Sequence, residues 1–421
     1  MIHASIITIG DELLIGQVID TNSAFIAQEM NKAGFKVVRR IAVGDDAAQI
    51  KNALDEEKKH SDIVLITGGL GPTADDITKP LLCNYFGGKM ILNEEVYNHV
   101  KNIFDNILKR PFTDRNIKQA EVPDVCTVIK NNKGTAPGML FTQTINGTEK
   151  TFVSMPGVPQ EMKAMMLDEV VEILIKKYST TNIAHRTLLL VGVGESTVAD
   201  MLEGFENKLP SNIKLAYLPN YGLVRLRLTS TLENAIENNN TIEQQFIQLQ
   251  SLVKEYLVST KDETMEEVLC TILKQKNKTL CTAESCTGGY MAHLITTIPG
   301  SSIFYDGSVI SYSYKAKEDL LQVNNGTLIK YGAVSEEVVK EMAAGALLNI
   351  QSDYTIAVSG IMGPGGGMPD KPTGTVWICV GNKQKLVAQK MHFRFDRALN
   401  IKLTAMNAFN MLRKFILEEG M

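Results

Sequence analysis

The chain has 421 residues, 44% of them hydrophobic and 21% charged, a globular composition that excludes a mainly disordered polypeptide. Its 43 Lys and Arg stand against 47 Asp and Glu, a formal net charge of −4, so no overall basic field points to a nucleic-acid binder. At roughly 150 residues per domain, the length suggests about three domains.

Met1 to Gly10 carries no Lys or Arg and runs directly into Asp11-Glu12, which is not the pattern of a secretory signal. The longest stretch free of Asp, Glu, Lys and Arg, Ser285 to Tyr305, is rich in Ser, Thr and Gly and contains Pro299, so it does not read as a membrane span. Six scattered cysteines form no Cys-x-x-Cys pair, and the six histidines are isolated. Reduced thiols in a soluble, cytoplasmic protein without zinc are expected.

In chain order, Ser5–Ile9 is β-rich, Asn22–Ala33 suits a helix stopped by Gly34, and Phe35–Ile41 is a strand. Asp46–Lys59 is again helical, and Asp62–Thr67 (DIVLIT) reads as a fully buried strand. Strands at Gly138–Thr142 and Phe152–Met155 and a helix over Gln160–Lys177 follow. This alternation predicts an α/β domain over 1–178, with a parallel sheet covered on both faces.

Residues 179–260 predict a small α+β connecting module: a strand at His185–Val191, a helix at Glu195–Phe205, and strands at Ile213–Leu218 and Leu223–Thr229. A polar helix containing Asn238-Asn239-Asn240 completes it. Over 261–421 the α/β rhythm returns, with a helix at Glu263–Lys274 and a strand at Thr279–Ala283. Ser335 is placed to cap a helix whose stripe Val339, Met342, Ala343, Ala346, Leu347 and Ile350 is core.

Two segments carry chemistry. After DIVLIT comes Gly68-Gly69-Leu70-Gly71-Pro72-Thr73-Ala74-Asp75-Asp76, whose glycines let amide groups approach an anion at a helix start. Gly10-Asp11-Glu12 also follows a strand, and Asp20-Thr21-Asn22 opens a helix, so several carboxylates are expected at one sheet edge. Carboxylates beside a phosphate cradle call for a divalent cation, with Asp75 and Asp76 as candidate ligands. An N-capping aspartate in a plain βα loop is the simpler alternative.

In the C-terminal segment, Glu284-Ser285-Cys286-Thr287-Gly288-Gly289 follows a strand and opens a helix. Ser285 is either a nucleophile beside amide donors or an N-cap, and Cys286 is a rival nucleophile. No histidine is placed for a triad, which leaves a Ser–Lys pair, with Lys315 and Lys317 not separable by spacing. Ser359-Gly360-Ile361-Met362-Gly363 reads as a substrate-lining loop, with a flexible surface turn as the simpler alternative.

Together these motifs resemble the competence/damage-inducible protein A (CinA) family across nearly the whole chain. They are Gly10-Asp11-Glu12-Leu13-Leu14-x-Gly16, TGGLGPTADDIT from Thr67, MPGVPQEM from Met155, TAESCTGG from Thr282, SGIMGPGGG and KPTGTVW. The resemblance implies two α/β domains joined by a KH-like module. The N-terminal domain would be molybdopterin-binding-like, an ADP-ribose pyrophosphatase that uses a divalent metal ion and releases AMP and ribose 5-phosphate. Gly68, Gly69, Gly71, Thr73, Asp11 and Asn22 would bind its nucleotide. The C-terminal domain would be a deamidase of nicotinamide mononucleotide (NMN) that needs no cofactor. Ser285 and Lys317 would form its dyad, with Tyr312 contacting the amine or passing a proton to ammonia. Thr287, Gly288 and Gly289 would stabilise the oxyanion, and Ser359, Gly360 and Arg397 would bind substrate. Phe395 stands where the family's Phe-x-Gly-Asp-Arg stretch has glycine, and Met362 replaces a smaller residue. The module over 179–260 has no Gly-x-x-Gly clamp, so no nucleic-acid partner is expected, while a homodimer is. The rival reading is a nucleotide- or molybdopterin-binding regulator without turnover at its N-terminal site.

Overall fold

The computed structural model describes residues 2–73, 76–178, 182–232 and 234–419, except for the side chains of Asp114 and Arg115. The chain divides into two compact units. The first holds residues 1–185, 211–213 and 229–242; the second holds 186–210, 214–228 and 243–421.

The first unit contains β1 (His3–Ile9), β2 (Lys36–Val43), β3 (Ile63–Thr67), β4 (Met90–Leu92), β5 (Glu121–Pro123), β6 (Thr127–Ile129), β7 (Gly138–Ile145) and β8 (Thr148–Met155). Six of them form one sheet in the order β2-β1-β3-β8-β7-β6, and β4 pairs with β5. The expected parallel pairing holds for β2, β1, β3 and β8. It fails at β7, which returns antiparallel to β8, and β6 is antiparallel to β7. The reason is local. Asn146 and Gly147 adopt φ of 50° and 78°, the left-handed pair of a two-residue hairpin turn.

Every residue of β3 is buried, as an apolar strand covered on both faces requires. Alternate side chains feed two cores. Leu65 and Val153 pack with Ile26 and Met162, while Ile66 and Phe152 pack with Leu54 and Leu82. The helix expected from Gln160 starts at Pro159 and passes through a π-helical turn at Met166–Val170 on its way to Lys177.

The middle segment supplies β9 (Asn182–Val191), β10 (Ile213–Asn220), β11 (Leu223–Leu232) and β12 (Leu257–Ser259), in the sheet order β10-β11-β9-β12. In the second unit follow β13 (Leu280–Glu284), β14 (Tyr305–Ile310), β15 (Tyr354–Gly360), β16 (Thr375–Gly381) and β17 (Leu386–His392). Their order is β14-β13-β15-β16-β17, with β14, β13 and β15 parallel and the last two antiparallel.

The first helix of this sheet domain starts at Met265, two residues later than its apolar pattern, because Thr264 and Glu267 form a reciprocal capping box. Ser335 caps the helix Glu336–Ile350, whose Val339, Met342 and Ala346 bury against Ala283 and Ala357. On the other sheet face, Phe409 and Leu412 of the helix Arg397–Glu418 meet Ile356 and Ile378, and Leu189 and Leu223 join that core. Among the described residues no helix is long and apolar enough to cross a membrane. All six cysteines are free thiols.

Candidate active sites

The C-terminal site lies where β13 ends. Ser285 follows the strand directly, and its amide donates to Val358 O at 3.1 Å. The next helix begins only at Tyr290 behind Gly289, so Ser285 is not an N-cap. Its hydroxyl meets Lys317 Nζ at 2.8 Å. Lys317 also donates to Ser311 O at 2.6 Å and Tyr312 O at 3.3 Å. Both partners are buried, Lys317 to 1% exposure.

Burial without an acidic partner lowers the Lys317 amine to about 8. A neutral amine would give its two N–H groups to the two carbonyls and turn its lone pair towards the Ser285 hydroxyl. Lys315 is exposed and pairs with Asp319 at 2.8 Å, which resolves the choice of lysine. Burial pushes the Cys286 thiol up to about 12, which disfavours the thiolate that a cysteine nucleophile needs.

Two expectations need correction. Tyr312 meets Lys317 through its carbonyl, not its phenol; the phenol oxygen accepts from Arg397 Nη2 at 3.1 Å on the rim. The amides of Thr287 to Gly289 are not all open to an oxyanion. Gly288 N–H donates to Ser285 O at 3.2 Å and Gly289 N–H to Glu284 Oε2 at 3.0 Å. The amides of Cys286 and Thr287 bond no backbone carbonyl among the described residues, which makes them the candidate donors in this turn.

Glu284 went unassigned from sequence. Its fully buried carboxylate accepts from Thr287 Oγ1 at 2.7 Å, Met291 N at 3.1 Å and Ala292 N at 2.8 Å, besides Gly289 N. Four donors on one carboxylate fix the turn that presents Ser285. The only trace in sequence is a Glu at the end of an apolar strand.

A cavity of about 270 Å³ opens over the pair, with Ser359, Gly360, Met362 and Arg397 in its wall. Ser359 Oγ donates to Ala333 O at 2.7 Å, so it shapes the wall rather than reaching for the nucleophile. A Cβ on Gly360 would sit 2.8 Å from Val376 Cγ2, which explains the glycine. Arg397 Nη1 donates to Gly363 O at 3.0 Å. Asn400, fully buried and also missed, donates to Met362 O at 3.1 Å and Phe395 O at 2.9 Å, tying the two loops that flank Arg397.

At the N-terminal site the glycine loop stands at the carboxyl end of β3. Gly68, at φ 117°, would place a Cβ 2.2 Å from Ile9 O. Gly69, at φ 65°, would place one 2.1 Å from Thr78 Oγ1, a fully buried hydroxyl without a hydrogen-bond partner among the described residues. Asn22 braces this edge, donating to Thr67 Oγ1 at 3.2 Å and Gly157 O at 2.8 Å. Thr8, Glu12, Asp20, Asn22 and Thr67 line a cavity of about 110 Å³ beside it.

Of the expected carboxylates, Glu12 and Asp20 share the wall of this cavity, while Asp11 and Asp76 are engaged elsewhere. Asp11 pairs with Asp45 through two amide–carboxylate bonds of 3.1 and 3.2 Å. Asp20 caps its own helix through Ser23 N at 2.9 Å. Asp76 accepts from Gly71 N at 2.8 Å, Thr73 N at 2.9 Å and the Thr73 hydroxyl, so it clamps the loop. Asp75 lies outside the described residues. No three His, Cys, Asp or Glu among the described residues are placed to hold a metal ion, and three acceptor positions of Asp76 are already taken by Gly71 and Thr73. The described donor set does not fit a metal centre.

A glycine loop at the carboxyl edge of one α/β sheet, and a buried serine–lysine pair at the edge of another, define a multidomain α/β protein with two candidate small-molecule sites. Residues 5–176 match the family described as "Probable molybdopterin binding domain", 185–258 the damage-inducible protein CinA KH domain, and 262–416 the CinA C-terminal domain. A CinA-like protein of Cytophaga hutchinsonii is 43% identical over 99% of both chains, and one of Flavobacterium psychrophilum 42% identical over 99% of both. A crystal structure of a CinA superfamily protein from Escherichia coli is 33% identical, covering 38% of this chain and 95% of its own, with a TM-score of 0.35. The chain belongs to the CinA family.

Proposed function

We propose that the C-terminal domain is an amidohydrolase that converts NMN to nicotinate mononucleotide and ammonia. The observation that carries this is the 2.8 Å contact between Lys317 Nζ and Ser285 Oγ in a buried setting. Neutral Lys317 removes the Ser285 proton as Oγ attacks the carboxamide carbon. The amides of Cys286 and Thr287 receive the oxyanion. Lys317 returns the proton to the departing nitrogen, leaving an acyl ester on Ser285. Water then adds to that ester, giving its proton to Lys317, and the carboxylate leaves as Ser285 is reprotonated. Net, one water is consumed and one ammonia released. Arg397 at the cavity rim takes the 5′-phosphate.

For the N-terminal domain the reading is binding of ADP-ribose and its hydrolysis to AMP and ribose 5-phosphate. The glycine approaches at Gly68 and Gly69 and the unpartnered Thr78 hydroxyl support a ligand there. A divalent-metal requirement rests on Asp75 and on rearrangement of Asp76. The separate engagement of Asp11, Asp20 and Asp76 favours, as the second reading, a nucleotide- or molybdopterin-binding site without turnover.

One paired assay tests both domains: ammonia release from NMN, and AMP release from ADP-ribose with and without added divalent cation. No ammonia from NMN removes the deamidase. Binding of ADP-ribose without AMP release selects the second reading. The proposal places the protein in the cytoplasm as a homodimer with small-molecule nucleotides as its partners, neither nucleic acid nor membrane, and sedimentation tests the dimer.

A further inference from the structure

The turn joining β10 to β11 is Tyr221-Gly222, with φ of 32° and 80°. Left-handed φ at both central positions is the hairpin turn that favours Asn-Gly, and a bulky tyrosine is strained at its first position. Such strain persists where a contact holds the residue there. The Tyr221 ring makes one such contact: it lies edge-on to Phe395, centroids 5.7 Å apart at 74°.

Phe395 belongs to the short loop in front of Arg397. Its amide donates to Asn400 Oδ1 at 3.3 Å, and its carbonyl accepts from Asn400 Nδ2. The hairpin itself is well anchored. Leu223 packs into the core of the sheet domain, and Arg225 bonds Asp262 at 3.2 Å and Glu263 O at 3.1 Å. A ring on a fixed hairpin thus contacts the loop that presents Arg397, which Asn400 also grips through its backbone.

We propose that the hairpin of the KH-like module is part of the deamidase's anion subsite, with Tyr221 and Phe395 as positioning residues that hold Arg397 for the phosphate of a mononucleotide. The proposal rests on the deamidase reading for its substrate, but not for the mechanical coupling. Neither aromatic ring touches the reacting atoms, so the effect belongs in binding rather than chemistry.

The test uses the full chain with Tyr221→Asn, which suits the turn better but removes the ring, and Tyr221→Phe, which keeps the ring. Tyr221→Asn is expected to raise KM for NMN roughly fivefold, the cost of leaving one side chain to be ordered on binding. Its kcat should stay within about twofold, and turnover of nicotinamide riboside, which lacks the phosphate, should not change. Tyr221→Phe should restore the wild-type KM. Amide exchange over Phe393–Leu399 should be faster in Tyr221→Asn than in Tyr221→Phe. Unchanged KM together with unchanged exchange overturns the proposal. If the wild type is inert towards NMN, the deamidase reading falls by itself. Exchange alone then decides the positioning role: faster in the Asn variant keeps it, equal in both removes it.

Discussion

Lys315 and Lys317, two residues apart on one helix, face opposite environments: the first is solvent-exposed beside Asp319, the second is sealed against Ser285. Positions i and i+2 point to different sides of a helix, so only one of the two can enter the cavity. The division of labour follows from helical geometry alone.

Ser285→Ala and Lys317→Ala should each lower the NMN deamidation rate on the order of 10³-fold or more, and the double variant should lose little beyond either. Cys286→Ala removes a thiol held protonated by burial, and should lose less than about tenfold. Single-turnover ammonia release distinguishes these outcomes. A dead Cys286→Ala beside an active Ser285→Ala would reverse the assignment of nucleophile.

The depressed Lys317 amine sets two pH dependences. Activity should rise with pH through about 8 as the base loses its proton. Stability has the matching sign. Below about 8 both folded and unfolded lysines are charged, and the folded state bears the full cost of a buried ammonium, about 3 kcal/mol. That cost fades as pH climbs towards the ordinary lysine value near 10.5 and is absent above it. Lys317→Met should therefore raise Tm clearly at pH 7 and hardly at pH 10.5. An equal shift at both would disprove the linkage.

Glu284→Gln replaces one acceptor oxygen with a donor that faces backbone N–H groups. Leaving such groups unpaired costs about 1–3 kcal/mol each. The variant should melt lower and lose kcat more than KM, since the turn it loosens carries Ser285 and not Arg397. A fall confined to KM would place Glu284 in substrate binding instead.

Asp76→Asn keeps one acceptor oxygen and gives up the other, so the loop Gly71–Thr73 loses at least one of its three clamps. Binding of ADP-ribose should weaken tenfold or more while the domain stays folded, as calorimetry and circular dichroism would record. AMP release undiminished by chelator would dispose of the metal requirement.

Much of this was legible in the sequence. DIVLIT announced a doubly covered strand by being apolar throughout, and Ser335 before Glu336-Glu337 marked its helix start. The family resemblance, not spacing, pointed to Ser285, Lys317 and Arg397 together, and all three line one cavity. What stayed hidden depended on contacts with no fixed spacing. Glu284 reaches groups three to eight residues ahead, and Asn400 joins two loops that sequence keeps apart. The contact of Tyr312 with Lys317 runs through main chain, which no side-chain pattern reports; the backbone turns its carbonyl inward and the ring to the rim. A break at Lys261 also looked clean in sequence, yet Leu189 and Leu223 complete the core behind β13.

The four bonds gathered by Glu284 have one more effect. They quench the positive pole of the helix Tyr290–Thr296 right behind the nucleophile. On the deamidase reading, a carboxylate formed at Ser285 would therefore meet no attractive helix pole at the reacting end of the cavity. The Cys286 and Thr287 amides would hold it only as neutral donors, and the charge-assisted hold would lie at the far end, at Arg397, where substrate and product look alike. On that reading the arrangement would favour release of the product.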